Sequence, residues 1–443
     1  ETTMPSFKKA ALPCLFSAFA LLGHAAELYV SKDLGNNANA GTKEAPLKNI
    51  EKAAQIAQIG DKIYVAEGNY YGLRDKGFII IKKPVEIYGG YSKDFAVRDV
   101  LKYQTRIMPP ASVNGTGSSN PLVELDVVAA PRERLVFDGI IFDKGDSNAY
   151  DPSRGKPRGV ETGMLVLPPG IGQNGKATNV ITAAKPLLGG KFLGGGELAI
   201  RNSVFSNGNN SAVRLGAHGE VNIVNNVFVA NAISACEIWG AKNQADAVKI
   251  DFSYNTMLFT WPRTADFGDG SQGFKVMTKA DIVIRRNIIG LSAFAAIERA
   301  RIDSPASMEK GRKVRVNDNR FFLNKKADVI LPGLGLFETI FAKDFADVDL
   351  FDEAVGNEEL KDDKTLRKAV NKAYLEGFLD ASYKESVDYD PNSFTNELRR
   401  VLGINQVSTG QSEISMFANK YPLKDAVRLF GAVEGYGAQE IKY

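Results

Sequence analysis

Four short apolar segments each carry one charged residue at the same place. Arg214 lies in Ala212-Val-Arg-Leu-Gly216 and Glu237 in Ala235-Cys-Glu-Ile-Trp239. Lys275 lies in Gly273-Phe-Lys-Val-Met277 and Glu298 in Ala296-Ile-Glu-Arg-Ala300. Side chains of a strand alternate in direction. If Val213, Leu215, Cys236, Ile238, Phe274 and Val276 face a core, Arg214, Glu237 and Lys275 face out, and Glu298 joins them if the register holds. Stacked strands would bring them to about 5 Å from one another. Cations and carboxylates that close can do acid–base work. Cleavage of an acidic polysaccharide by β-elimination needs a cation on the uronate carboxylate, a base for the adjacent proton and an acid for the leaving oxygen. Arg214 suits the first task, Lys275 or a deprotonated partner the second, and Glu237 completes the set, with Arg299 and Arg301 extending the cationic track and Glu298 beside them as a substrate contact. The same residues could instead form a solvated ladder that steadies the sheet by a few tenths to about 1 kcal/mol per pair. A lyase on this plan expects Lys275→Ala to abolish turnover and leave stability nearly unchanged.

The loop over 260–272 lies beside this track in sequence. Trp261 could stack on a sugar ring and Arg263 hold a carboxylate. Asp266 and Asp269 offer oxygen ligands for calcium, although their spacing matches no EF-hand. Trp239 could face a sugar or pack inward. An ordinary surface turn accounts for the loop equally well. His218 sits in a glycine-flanked turn, where an exposed, uninvolved imidazole is the simpler reading. Asn114-Gly-Thr116 matches a glycosylation sequon. The basic cluster Arg154, Lys156 and Arg158 reads as a solvated loop or as a clamp for an anionic ligand.

These residues need a scaffold that repeats. Asn202, Asn226, Asn255, Asn287 and Asn319 each fall between two short apolar runs, with apolar residues on both sides. A unit of a few short strands cannot bury a face alone, so units must stack, each strand pairing with its counterpart one coil away. An Asn at one corner of every coil can hydrogen-bond the coil above and tolerates a left-handed backbone. Near the start, Leu47, Ile50, Ala54 and Ala57 share a helical face, which predicts a helix over 47–58.

The run Gly41-Thr-x-x-x-Pro46, a helix containing Ile50, then Gly60-Asp-x-Ile-Tyr-Val65-x-x-Gly68-x-Tyr70 resembles the opening of pectin-lyase-like right-handed parallel β-helix proteins. The Asn-x-x-Phe repeats are similar to their coils. The resemblance spans roughly residues 27–331 and implies an all-β solenoid with an N-terminal capping helix. It implies no single activity, because that fold carries lyases, hydrolases, epimerases and adhesins.

The remaining segments fit around that body. Lys8 and Lys9, an apolar run over 10–22 and small residues to Ala26 read as a signal peptide over 1–26, too short for a membrane span. The β-helix is expected over 27–341, with 145–195 as a Gly/Pro/Lys-rich loop insertion. Residues 342–443 are expected to be helical at first and then a tail, capping the open end or packing on the solenoid's side. The chain has 443 residues, net charge +3 and 24% charged residues, which gives no reason to expect nucleic acid as a partner. Without the leader one His and one Cys remain, too few for a Cys/His zinc site. The expected partner is an acidic polysaccharide or cell-surface glycan, met outside the cell, in the periplasm or at the surface. The alternatives are a non-catalytic glycan binder and a self-assembling structural protein.

Overall fold

The computed structural model describes residues 25–110, 120–145, 185–241, 243–244, 246–261, 272–277, 279–299, 312–324, 327–332, 337–347, 351–361, 363–375, 378, 399–400, 403 and 420–443. These form three nine-stranded sheets. The first runs from Glu27–Val30 to Lys313–Asn317, the second from Ile79–Ile81 to Phe337–Ile340, and the third from Gly68–Tyr70 to Glu358–Glu359. Each coil supplies one strand to the first sheet, then the third, then the second. Glu197–Arg201, Val204–Ser206 and Val213–Ala217 make one such coil, and Glu220–Val224 begins the next. All pairings between coils are parallel except the last, where Phe337–Ile340 folds back antiparallel on Ala327–Pro332. The protein is a right-handed parallel β-helix.

Inward residues fill the tube. Phe142, Phe205 and Phe228 stack with centroids 4.4 and 4.9 Å apart, each in register with the next. Offset aromatic contacts of this kind add about 0.5–1.5 kcal/mol beyond their burial.

The asparagine ladder stands at the corner between the first and third sheets, one residue away from where the sequence places its first member. Asn202 pairs not with Asn226 but with Asn225, whose Nδ2 donates to Asn202 Oδ1 at 2.9 Å. Both have positive φ, as do Tyr254, Arg286 and Asp318 at the same station. The ladder proper begins at Ser203, continues through Asn226, Asn255, Asn287 and Asn319, and ends at Asn357. The left-handed backbone therefore belongs to the residue before each ladder Asn. The ladder side chain instead accepts the backbone N–H of the previous coil and donates to a carbonyl, as Asn255 Nδ2 does to Ile223 O at 2.8 Å.

The ends and one flank are covered. A helix over Ile50–Ile56, shorter than expected, buries Ile50, Ala53 and Ala54 over the N-terminal opening. At the other end Ile340, Ala342 and Phe345 close the core. Residues 420–443 run back along the third sheet, whose outward face is apolar at Val204, Val227 and Ile288. Tyr436, Ala438, Gln439 and Tyr443 meet Arg320, Thr256, Asn225 and Val100 in turn. The C-terminal region thus both caps the end and packs on the side. Among its described residues helix is formed over Asp363–Ala369 and, in a short turn, Leu423–Ala426, and residues 372–375, 378 and 399–400 are helical as well.

The insertion is narrower than residues 145–195. Leu188–Leu193 is a strand of the second sheet, paired to Val123–Val128 and Val213–Ala217. Its glycines are coil residues: Gly190 has φ +108° and a Cβ there would lie 2.1 Å from Leu125 O. Residues 146–184, with Arg154, Lys156 and Arg158, fall outside the described residues, as do Asn114 and residues 1–24.

Candidate functional site

The second sheet sets the charged residues side by side. Arg214 is registered with Glu237, Glu237 with Lys275, and Lys275 with Glu298. Their strand neighbours Val213, Leu215, Cys236, Ile238, Phe274 and Val276 are all buried in the core, so the alternation that turns those inward turns the four charges out. Arg214 Nε lies 3.0 Å from Glu237 Oε2, Lys275 Nζ 3.3 Å from Glu237 Oε1, and Lys275 Nζ 3.8 Å from Glu298 Oε2. Facing outward does not make them solvated. Glu237, Lys275 and Glu298 are 4%, 6% and 6% exposed, whereas the Arg214 side chain is 50% exposed. A ladder of surface ion pairs would be wet along its length. This one is dry at three of four positions, where desolvation offsets much of the Coulomb attraction. Removing Lys275 would leave two carboxylates in a buried wall, so the expectation that Lys275→Ala leaves stability unchanged does not survive.

Around Arg214 the face opens. Trp239 is outward and half-buried, and the Arg214 guanidinium carbon is 6.0 Å from its ring. Gly216 is registered with Trp239, and a Cβ on Gly216 would lie 3.3 Å from Trp239 Nε1. The indole therefore lies against a residue with no side chain. The same station in the two coils before holds Lys191 and Asp126, both exposed, and Glu124 stands two coils from Arg214 on its own column. Strand alternation finds all of these once Leu188–Leu193 is taken as a coil strand rather than loop.

Trp261 does not belong to this face. It is 3% exposed, its Nε1 donates to Tyr374 Oη at 3.2 Å, and its ring meets Phe378 edge-on at 4.6 Å. It packs the C-terminal segment onto the solenoid, where no sugar could stack on it. Arg263, Asp266, Asp269 and Arg301 lie outside the described residues. Arg299 ends the strand Ala295–Arg299, with its side chain outside the description. Among the described residues no group of three or more His, Cys, Asp or Glu is placed to hold a metal ion. His218 is half-buried in its turn. Cys236 is fully buried, and that burial, with Glu237 next to it, pushes its thiol well up from the ordinary value. This is the setting of an inert structural cysteine.

A second titratable pair lies at the C-terminal end. Buried Asp328 accepts from Ala342 N at 2.9 Å and from Asn324 Nδ2 at 3.1 Å. Glu359 is exposed as a residue, but its carboxyl turns to Asp328. Loss of water around it, then the Asp328 charge and the hydrogen bond between them, push it up to about 8. Burial also raises Asp328.

A family model described as "Protein of unknown function (DUF1565)" matches residues 34–125, a stretch that includes the capping helix. No curated protein matches the chain. Among solved structures it is similar to one titled "Crystal structure of pectate lyase Pel9A", at 13% identity over 71% of this chain and 80% of that one, with a TM-score of 0.37. The fold rests on the three sheets themselves, and a β-helix brings no activity with it. Among the described residues no helix is long and apolar enough to cross a membrane.

Proposed function

We propose that this β-helix is an exported protein that binds an acidic polysaccharide on the outward face of its second sheet, with Arg214 and Trp239 as the accessible contact. The supporting observation is their arrangement. A half-exposed guanidinium, steadied by Glu237 at 3.0 Å, stands 6.0 Å from a half-buried indole. A uronate presents the complement: a carboxylate that accepts from a guanidinium and a C–H face that packs on an aromatic ring. Lys191, exposed one coil before Gly216, adds a second cation on the same face.

Lyase chemistry is the second reading, favoured by the Glu237–Lys275–Glu298 cluster. In that reaction Arg214 neutralises the uronate carboxylate and a base, Lys275 or a deprotonated neighbour, removes the adjacent proton. The electron pair becomes a carbon–carbon double bond as the glycosidic C–O bond breaks, and the leaving oxygen takes a proton from an acid, assigned to Glu237. Because Lys275 and Glu237 are buried, the substrate must gain access to them for this to run.

Calorimetric titration of the full chain with oligogalacturonate, oligomannuronate and oligoglucuronate tests the binding reading. Charge-assisted hydrogen bonds contribute about 1.5–3 kcal/mol, so Arg214→Ala should weaken the best ligand by roughly tenfold or more, and Trp239→Ala should also weaken it. Unchanged affinity in both variants would refute the assignment. Ultraviolet absorbance of the same mixtures reports unsaturated uronate ends: a rise adds the lyase reading, and a flat trace with retained binding leaves the binder.

A further inference from the structure

A cavity of about 590 Å³ lies where the C-terminal end of the solenoid meets the tail, between Arg320 on the third sheet, residues 358–361 and residues 431–436. That volume is within the ~300–1,000 Å³ usual for small-molecule sites. Arg320 is held in a fixed orientation there. Its Nη1 donates to Asn319 O at 3.1 Å and to Gly356 O at 2.8 Å, and its Nη2 to Tyr436 Oη at 2.7 Å. Its guanidinium carbon is 4.0 Å from the Tyr436 ring. A second guanidinium, that of Arg286, stands 5.8 Å from the same ring. Among the described residues neither arginine makes an ion pair. The carboxylates nearby are engaged elsewhere or solvated. Glu358, registered with Arg320, pairs with Lys361 at 3.0 Å. Glu359 turns to Asp328, and Glu434 is exposed. Two donors are left over: the Arg320 Nε–H, and the O–H of Tyr436, whose oxygen already accepts from Arg320. Neither has an acceptor among the described residues.

We propose that this cavity binds a small organic acid by its carboxylate, which accepts from the Arg320 Nε–H and the Tyr436 O–H. Nε and Nη2 share the edge of a guanidinium that receives the two oxygens of a carboxylate. Here Tyr436 takes Nη2 and offers its own O–H in turn. The charges set the sign of the ligand: two guanidinium groups without ion-pair partners favour a negative group beside them. A dianion such as phosphate would also meet Glu358 and Glu434 at the rim, so a single negative charge fits better. The rest of the lining sets Leu360 and Val433 beside Thr365, which suits a body with an apolar face and hydroxyl groups, as in a sugar acid. The site lies on the third sheet at the C-terminal end, so the proposal does not rest on the Arg214 face.

Calorimetric titration of the full chain carrying Arg214→Ala, which removes the second-sheet contact, tests it with D-glucuronate and with uncharged D-glucose. Saturable binding of glucuronate is expected, with glucose weaker by roughly tenfold or more. No glucuronate binding, or equal binding of the two, overturns the proposal. In the same background Arg320→Lys keeps the charge and loses the planar fork, while Tyr436→Phe keeps the ring and loses the O–H. Both should weaken glucuronate, Arg320→Lys by roughly tenfold. Should Arg320→Lys also lower the melting temperature, Tyr436→Phe decides alone. Glucuronate affinity that stays at the parent value in Tyr436→Phe overturns the assignment.

Discussion

Replacing Asn287 by alanine removes one rung from the middle of the ladder. The Asn287 side chain is fully buried. Its Oδ1 accepts from Asn255 N at 2.8 Å and Asn255 Nδ2 at 3.3 Å. Its Nδ2 donates to Phe252 O at 2.9 Å and to Asn319 Oδ1 at 2.9 Å. After truncation the Asn255 side chain keeps Ile223 O and Asn319 Nδ2 keeps Ile284 O. The Asn255 backbone N–H loses Asn287 Oδ1 and is orphaned, whereas Phe252 O loses Asn287 Nδ2 but stays in the ladder between Val248–Ser253 and Ala280–Arg285. The buried orphan costs about 1–3 kcal/mol and the lost second bond about 0.5–1.5 kcal/mol, which sets the loss at roughly 1.5–4.5 kcal/mol. Asn222→Ala is the control. That side chain is half-buried and makes one hydrogen bond, to Glu197 Oε1 at 2.9 Å, worth about 0.5–1.5 kcal/mol. Urea unfolding followed by circular dichroism reads both as shifts in midpoint, provided the slope is unchanged. A midpoint for Asn287→Ala no lower than that for Asn222→Ala would refute the ladder as a source of stability.

Three further outcomes follow from the same geometry. Lys275→Met leaves Glu237 and Glu298 facing each other in a buried wall and should cost roughly 3–5 kcal/mol, read as a lower urea midpoint; a variant as stable as the parent would show those carboxylates to be solvated. Trp261→Ala should cost about 3–5 kcal/mol from the cavity it leaves while polyuronate affinity stays at the parent value; a selective loss of affinity with unchanged stability would restore Trp261 as a sugar contact. The Glu359 carboxyl is pushed up to about 8 from an ordinary value of 4.5, so the folded state holds a proton that the unfolded chain gives up. Stability should therefore be greatest below pH 4.5 on this account, fall as pH rises towards 8 and level off above it, and Glu359→Gln should flatten that slope in urea midpoints measured across the window.

Much of this was legible in the sequence because a solenoid writes its register into its repeats. The alternation around Arg214, Glu237 and Lys275 is enough to place them in one column, with Glu298 following from the register, and the structure pairs them in that order. Their burial was not legible, since a strand pattern gives direction but not what lies above the sheet. The ladder slipped by one at its first rung because Asn occurs at both corner stations, 202 and 225 in one and 226 in the other, while the true first member is Ser203. The strand Leu188–Leu193 was hidden by Gly189, Gly190 and Lys191. Glycine reads as loop, yet Gly190 is required where the chain takes positive φ against Leu125. Trp261 looked like a loop aromatic because its partners, Tyr374 and Phe378, lie more than a hundred residues on. The covers over the first sheet's edges come from nearer in the chain but lie outside the repeat pattern. Residues 41–47 meet Glu27–Val30, and 352–355 meet Lys313–Asn317. Both occupy backbone positions through which end-to-end strand addition would run.

The most direct test of the central claim is hydrogen exchange, read by mass spectrometry on the full chain with and without the tightest-binding oligouronate. Added protection is expected in peptides covering Val213–Ala217 and Ser234–Gly240, and its loss in Arg214→Ala. Protection confined to the first sheet, or none on the second sheet at saturating ligand, would contradict it.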